Sequence, residues 1–134
     1  MLKQVSVFAE NSKGRLKEIT SLLAKHDINI LGSVTNDSAE YGIIRMIVSD
    51  PEACVSTLRG DGYVCKTTNV LGIEIPDEVG ALNKVLEVLD NCNINLDYLY
   101  LSFNSESAMP IMVFHTEDPG EVQEILVSKG FKAL

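Results

Sequence analysis

The sequence predicts an α+β protein built from two similar domains, each with the element order β-α-β-β-α-β. The first indication is an internal repeat, because residues 11–16 (NSKGRL) return 66 residues later as residues 77–82 (DEVGAL). Each copy follows an apolar alternating run and opens an amphipathic segment, which is a strand–loop–helix pattern. A near-copy of one tripeptide, residues 28–30 and 94–96, follows at the same spacing in both halves. Such a repeated unit indicates duplicated domains.

The first half is predicted to contain four strands and two helices. Alternation of apolar and polar residues predicts a half-buried first strand, and Gly14 in the following turn permits a positive φ. Leu16 and Ile19 begin the helical apolar spacing of the first helix. Asp50 and Pro51 predict the start of the second helix, as N-cap and first helical residue. The predicted strands are residues 4–9, 28–35, 41–48 and 63–67.

The second half repeats this order, with predicted strands 70–75, 96–103 and 109–115 and a helix over 80–91. Asp118 and Pro119 repeat the capped helix start, but they follow their counterparts by 68 residues rather than 66. Two residues are therefore inserted in the hairpin before them, where a loop tolerates a change in length. Thr68 and Asn69 join the halves with almost no linker, so the predicted domains are residues 1–67 and 68–134.

Composition excludes several classes of function. The net charge is −8 with 11 scattered Lys and Arg residues, whereas a nucleic-acid binder needs a clustered basic surface. Three cysteines without CxxC spacing and two histidines argue against a zinc site and indicate a reducing compartment. The N-terminal residues lack the regions of a signal peptide, and no apolar run reaches the ~20 residues of a membrane span. We expect a cytoplasmic protein without a metal or other cofactor.

A β-α-β-β-α-β unit closes into a four-stranded antiparallel sheet with both helices on one face, which is the ferredoxin-like arrangement. A lone unit of about 66 residues would bury only about 60% of its unfolded surface and would be marginally stable. We therefore expect the two domains to pack together or to pair with another chain, and the expected assembly is a homodimer.

The sequence resembles tandem ACT-domain proteins over nearly its whole length. The motif residues that carry the resemblance are Asn11, Gly14, Leu16 and residues 28–30, then Asp77, Gly80, Leu82 and residues 94–96. The chain departs from the family pattern where Lys13 and Val79 replace a proline and where Asn11 replaces an aspartate.

The resemblance implies a regulatory sensor that binds a small amino acid and acts on a partner enzyme of amino-acid metabolism. The ligand is expected at an interface between ACT domains, where the loop after the first strand of one domain faces the second strand of the other. The implied ligand-binding residues are Asn11, Ser12, Lys13, Gly14, Arg15, Leu16, Asn29, Ile30, Asp77, Gly80, Ala81, Leu82, Asn95 and Leu96.

The chemistry of these residues suits a free amino acid. Backbone N–H groups at a helix N-terminus suit its carboxylate, and asparagine amides and backbone carbonyls suit its ammonium group. Lys13 and Arg15 attract a carboxylate, whereas Asp77 and Glu78 repel it. The two sites are therefore expected to be unequal, with the first loop the better one.

Structural roles compete with these functional roles. Gly14 and Gly80 are also the residues expected in ordinary turns. Asn29 and Asn95 can serve to hydrogen-bond the backbone groups of their loops. Arg15 can lie in solvent on the surface of its helix. Two other functions stay open: a non-catalytic regulatory or structural subunit that acts through protein contacts with degenerate pockets, and a small hydrolase of the same fold. No catalytic constellation is recognisable, so we expect no enzyme activity.

Overall fold

The computed structural model describes residues 1–10, 12–36 and 41–134, and these residues form seven strands and four helices. The elements are β1 (Leu2–Glu10), α1 (Arg15–Lys25), β2 (Ile30–Asn36), β3 (Tyr41–Val48), α2 (Pro51–Gly60), β4 (Val64–Glu74), α3 (Ala81–Asn91), β5 (Tyr98–Phe103), β6 (Pro110–His115), α4 (Pro119–Ser128) and β7 (Lys132–Ala133). The chain divides into a first unit, Lys3–Thr68, and a second unit, which contains Met1–Leu2 and Asn69–Leu134.

In the first unit, β3 lies between two antiparallel neighbours, as its apolar sequence predicts. Met46 of β3 is opposite Val5 of β1 on one side and Ser33 of β2 on the other, and the strand order is β2-β3-β1-β4. Alternate residues of β1 and β3 form one core with both helices, so α1 and α2 lie on the same face of the sheet. The core includes Val5, Val7, Ile19, Leu23, Ile44, Met46, Cys54 and Leu58.

The second unit is arranged in the same way around β6, which pairs antiparallel with β4 and β5, while β7 pairs with β4. Phe114 of β6 is opposite Leu71 of β4 and Leu99 of β5. One core again joins the sheet to both helices, and it includes Leu71, Ile73, Val85, Leu89, Met112, Phe114, Val122 and Leu126. The α+β class and the antiparallel pairing agree with the prediction.

Strand β4 is unbroken from Val64 to Glu74, although the sequence predicts two strands joined at Thr68 and Asn69. No glycine or proline lies between Val64 and Leu71, and the β-branched residues of this segment favour extended backbone.

Helices α1 and α3 end in the same left-handed turn, and the strands that follow therefore begin later in the sequence than predicted. Asp27 and Asn93 have φ values of 59° and 56°. The N–H groups of the next residues, Ile28 and Ile94, donate to the carbonyl groups of Leu23 and Leu89 at 3.0 and 2.9 Å. This is the hydrogen bond of a Schellman helix end. Strands β2 and β5 consequently begin at Ile30 and Tyr98, two residues later than predicted.

The four helices begin in two different ways. Asp50 and Asp118 cap α2 and α4 with their side chains, which accept from the N–H groups of Ala53 and Glu121 at 3.1 and 3.2 Å. Helices α1 and α3 begin after a glycine in the left-handed conformation, with φ 84° at both Gly14 and Gly80. A glycine offers no side chain for the cap.

Glu74 at the end of β4 holds the β5–β6 hairpin. Its Oε2 accepts from Asn104 Nδ2 at 2.9 Å and from Ser107 Oγ at 3.1 Å, and it lies 3.5 Å from Lys132 Nζ. These hydrogen bonds, that from Asn104 most of all, lower the pKa of the Glu74 carboxyl below its ordinary value. The carboxylate form therefore binds the hairpin better than the protonated acid does.

Glu74→Gln is expected to lower the free energy of unfolding at neutral pH, because an uncharged amide oxygen accepts these hydrogen bonds more weakly than a carboxylate and forms no ion pair with Lys132. Since the pKa is lower in the folded state, this stabilisation is complete above the ordinary titration range, about pH 4 to 5. It is lost as the pH falls through the folded-state pKa. Urea unfolding midpoints at pH 7 and pH 3 measure the difference. Glu106→Gln, an exposed acid in the same hairpin, is the control, and an equal effect of both variants at pH 7 would contradict the assignment.

Gly14→Ala and Gly80→Ala are each expected to destabilise the protein by about 1–2 kcal/mol, the usual penalty for an L-residue in the left-handed region. An added Cβ would meet no atom within 4 Å at either position, so the penalty comes from backbone strain alone. Gly60→Ala is the matched control, since the space there is equally open and its φ is not positive. Urea unfolding midpoints measure the stability of the three variants. Equal midpoints for all three would contradict the conclusion that the left-handed turns require glycine.

Candidate functional site

The start of α1 brings together three of the residues that the sequence predicts for ligand binding. Ser12, Arg15 and Leu16 line a cavity of about 160 Å³, whose other walls include Thr35 of β2 and Ile44 of β3. Gly14 precedes the helix, and Lys13 is exposed. The predicted ligand residue Asn11 lies outside the described residues.

Arg15 is held in place beside this cavity. Its Nη1 lies 3.3 Å from Glu18 Oε2, and its guanidinium carbon lies 6.0 Å from the centroid of the Tyr63 ring, which is the range of a cation–π contact. The side chain keeps 34% of its surface exposed. Arg15 thus combines a fixed position with a charge that a ligand can still reach.

Asn29 and Ile30 lie at the opposite end of α1 from Gly14. The two ends of an 11-residue helix lie about 16 Å apart. The loop that contains Gly14 (the glycine loop, with its equivalent at Gly80) and Asn29 of the same unit therefore do not meet. The backbone N–H of Asn29 donates to Ser49 Oγ and its carbonyl accepts from the Ser49 N–H, both at 2.9 Å. Ile30 packs against the core. A site that uses both motifs therefore needs two domains.

In the second unit, the residues of the loop before α3 divide between surface and core. Asp77 and Gly80 are exposed, whereas Ala81 keeps only 4% of its surface and Leu82 packs against the same core. Lys84 Nζ, at 4.0 Å from Glu78 Oε1, offsets part of the negative charge. The polar side chains that this loop exposes, Asp77 and Glu78, are acidic.

Asn95 and Leu96, although adjacent in sequence, line different cavities. Asn95 lines a cavity of about 370 Å³ between the segment after α3 and the start of α4, where Thr116 and Glu121 are further wall residues. Leu96 packs against the core and lines a groove of about 400 Å³ along α3. Both residues lie beyond the end of α3, whereas Gly80 precedes its start.

Sequence reasoning missed the cavity residues that other strands contribute. Thr35 and Ile44 reach the first cavity across the sheet, and no local pattern indicates this. Thr116 was detectable, because the 68-residue offset aligns it with the core residue Val48. A polar residue at a core position of a repeat is a signal that a residue-by-residue comparison of the halves would have shown.

Other chemical features of the described residues are few. They include no group of three or more His, Cys, Asp and Glu residues placed to hold a metal ion. Cys54, Cys65 and Cys92 are free thiols, and burial raises the pKa of Cys54 to about 11. In the part of the chain that the structure describes, none of the helices has both the length and the apolar character to cross a bilayer.

Comparison with solved structures finds similar proteins across almost the whole chain. Protein BT0572 from Bacteroides thetaiotaomicron is 34% identical, with a TM-score of 0.89, and the match covers 99% of this chain and 91% of that one. The ligand-free regulatory subunit of aspartate kinase from Thermus thermophilus has a TM-score of 0.67 at 8% identity, covering 94% and 91%. The corresponding subunit from Thermus flavus has a TM-score of 0.63 at 14% identity, covering 92% and 86%. At such low identity, the two kinase subunits show a likeness of fold.

No curated protein sequence matches the chain. The family model described as an ACT domain pair matches residues 1–133, and it therefore includes both copies of the repeat. The chain belongs to the ACT domain pair family.

Proposed function

We propose that this protein is a non-catalytic regulatory sensor that binds a small amino acid at an interface between ACT domains, its own two or those of two chains. The domains would be residues 1–67 and 68–134, two ferredoxin-like units packed together, in a cytoplasmic homodimer. The partner would be an enzyme of amino-acid metabolism. A likeness of fold to regulatory subunits of aspartate kinase supports this class of partner.

The observation that carries the proposal is the way in which α1 begins. Asp50 and Asp118 occupy the N-termini of α2 and α4 with their own carboxylates. Gly14 gives α1 no capping side chain, and the carboxylate in the first turn of this helix, that of Glu18, is paired with Arg15 at 3.3 Å. Free N–H groups and the helix dipole at such a terminus favour a bound anion. The carboxylate of a free amino acid is an anion of suitable size.

The side chains around this terminus fit the rest of such a ligand. Arg15 supplies a positive charge, and Leu16 and Ile44 supply an apolar wall. The volume of about 160 Å³ is below the ~300–1,000 Å³ of pockets for drug-sized ligands. The cavity therefore suits a small ligand, and a second domain presenting Asn29 or Asn95 would complete it.

The equivalent loop before α3 is the weaker candidate. Asp77 and Glu78 would repel a ligand carboxylate, and buried Ala81 stands where the first loop has Arg15. We propose that the first loop binds the carboxylate and that the second loop binds it weakly or not at all.

Ligand binding would act on the partner enzyme by population shift. A ligand held between two domains binds one arrangement of the domains more tightly than another. That difference in affinity limits how far the ligand can shift the equilibrium between the two arrangements.

Exposed apolar residues favour one alternative, a non-catalytic regulatory or structural subunit that works through protein contacts alone. Leu16 is 47% exposed and Val79 fully exposed, and each lies within two residues of Gly14 or Gly80. In this alternative the loops contact the partner directly and their pockets are degenerate.

A thermal-shift screen of the purified protein against the twenty amino acids is the first test. A ligand at 100 times its dissociation constant adds about 2.7 kcal/mol of stability, so one amino acid is expected to raise the unfolding midpoint by several degrees. A flat panel would instead favour the subunit that acts through contacts alone.

For the amino acid so identified, Arg15→Ala is expected to weaken binding about tenfold or more, since a charge-assisted hydrogen bond contributes about 1.5–3 kcal/mol. Lys17→Ala is the control, because Lys17 lies on the same helix, exposed. Titration calorimetry measures both affinities, and equal affinities would remove Arg15 from the site.

The pair Asn11→Ala and Asp77→Ala compares the two loops. Loss of binding with Asp77→Ala alone would assign the site to the second loop.

A further inference from the structure

We propose that the second unit has a separate binding site for a small organic cation, an alkylammonium group, in the cavity between the end of α3 and the start of α4. This α3–α4 cavity has a volume of about 370 Å³, and its walls include Asn95 after α3, Thr116 and Glu117 after β6, and Glu121 of α4. It lies beyond the C-terminal end of α3, whereas Gly80 precedes the N-terminal end. The proposal shares Asn95 with the proposed amino-acid site, but it does not depend on amino-acid binding at Gly14 or Gly80.

The first reason is the hydroxyl group of Thr116. Only 1% of the residue is exposed, yet Thr116 Oγ1 has no hydrogen-bond partner among the described residues. A buried polar group without a partner costs about 1–3 kcal/mol. Because Thr116 lines the cavity, an ammonium group bound there would donate the missing hydrogen bond to Thr116 Oγ1.

The second reason is the contrast with the first unit at the same position of the repeat. Val48, the counterpart of Thr116, belongs to the core. Ser49 and Asn29 exchange two hydrogen bonds of 2.9 Å that join the segment after α1 to the start of α2. Glu117 takes the place of Ser49 in the second unit. There the strand after the helix begins at Tyr98, and the residues before it, Ile94, Asn95 and Asp97, line the cavity.

The charge of the cavity selects a cation. Among the described residues that line it, the carboxylates are Asp97, Glu117, Asp118 and Glu121, and no Lys, Arg or His is present. The N-terminus of α4 contributes about half a positive charge, and the cap carboxylate of Asp118 already faces it. The net potential therefore remains negative.

The donor set indicates an organic cation rather than a metal ion. No cluster of three or more metal-ligating side chains occurs in the described ranges, and Asp97 Oδ2 is engaged by His115 Nδ1 at 2.6 Å. Ile94, Val122 and Ile125 add apolar wall, which suits a short alkyl chain. The volume lies within the ~300–1,000 Å³ range of small-molecule pockets.

The test is an NMR titration of the ¹⁵N-labelled full chain with n-butylamine at neutral pH, where the amine is an ammonium ion. Saturable shifts are expected at the amide signals of Asn95, Thr116 and Glu117. 1-Butanol and sodium butyrate have a matched alkyl chain without the positive charge, and we expect neither to reproduce these shifts. Equal responses to butanol and butylamine would overturn the choice of a cation.

Two variants test the named side chains. Thr116→Val copies the residue that the first unit carries at this position, so it should fold, and it is expected to weaken butylamine binding several-fold while raising the melting midpoint. Glu121→Gln is expected to weaken binding on the order of tenfold. Glu87→Gln removes the same charge from the exposed surface of α3, outside this cavity, and should bind like the unmodified chain. Unchanged binding in both Thr116→Val and Glu121→Gln, or an equal loss in Glu87→Gln, would refute the site.

Discussion

The left-handed backbone of Gly14 and Gly80, with φ 84° at both, is the constraint on which the rest of each unit depends. It turns the chain from a core strand directly into a helix. In both loops the first helical N–H bonds back three residues at 3.2 Å, from Arg15 to Ser12 and from Ala81 to Glu78. Because the backbone alone fixes this turn, the side chains around it are free to differ. One loop is basic and the other is acidic.

Periodicity predicted most of the fold, because burial acts on one face of each element. Strand β3 has the predicted bounds, and α2 and α4 begin at the predicted prolines, since an Asp-Pro pair combines a cap with a fixed φ. The late starts of β2 and β5 were not predictable in this way. They follow from a positive φ at Asp27 and Asn93, residues that adopt either sign.

The candidate sites were predictable only where they are local in sequence. Ser12, Arg15 and Leu16 share one helix start, and they line one cavity. The contact of Arg15 with Tyr63 joins residues that are distant in the chain, so it depends on tertiary packing that no local motif encodes. Asn29 was grouped with the glycine loop through the resemblance alone, and within one unit the length of α1 keeps the two apart.

The two units keep the same backbone hydrogen bonds at the ends of α1 and α3, yet they differ at the core position of Val48 and Thr116. Core packing usually excludes a hydroxyl group without a partner. At this position the hydroxyl group is present in the second copy of the repeat and absent from the first, a difference that fits different roles for the two copies. A duplicated scaffold can hold two chemistries as long as the turns that shape it stay unchanged.

The unequal burial of the three cysteines gives this chain a natural point of chemical attachment. Cys54 and Cys65 are 0% and 5% exposed, and burial raises the pKa of both thiols, which suppresses the reactive thiolate. Cys92 is exposed at the end of α3. A maleimide fluorophore would therefore mark one copy of the repeat and leave the other unlabelled. The fluorescence of such a label would report on events in the second unit.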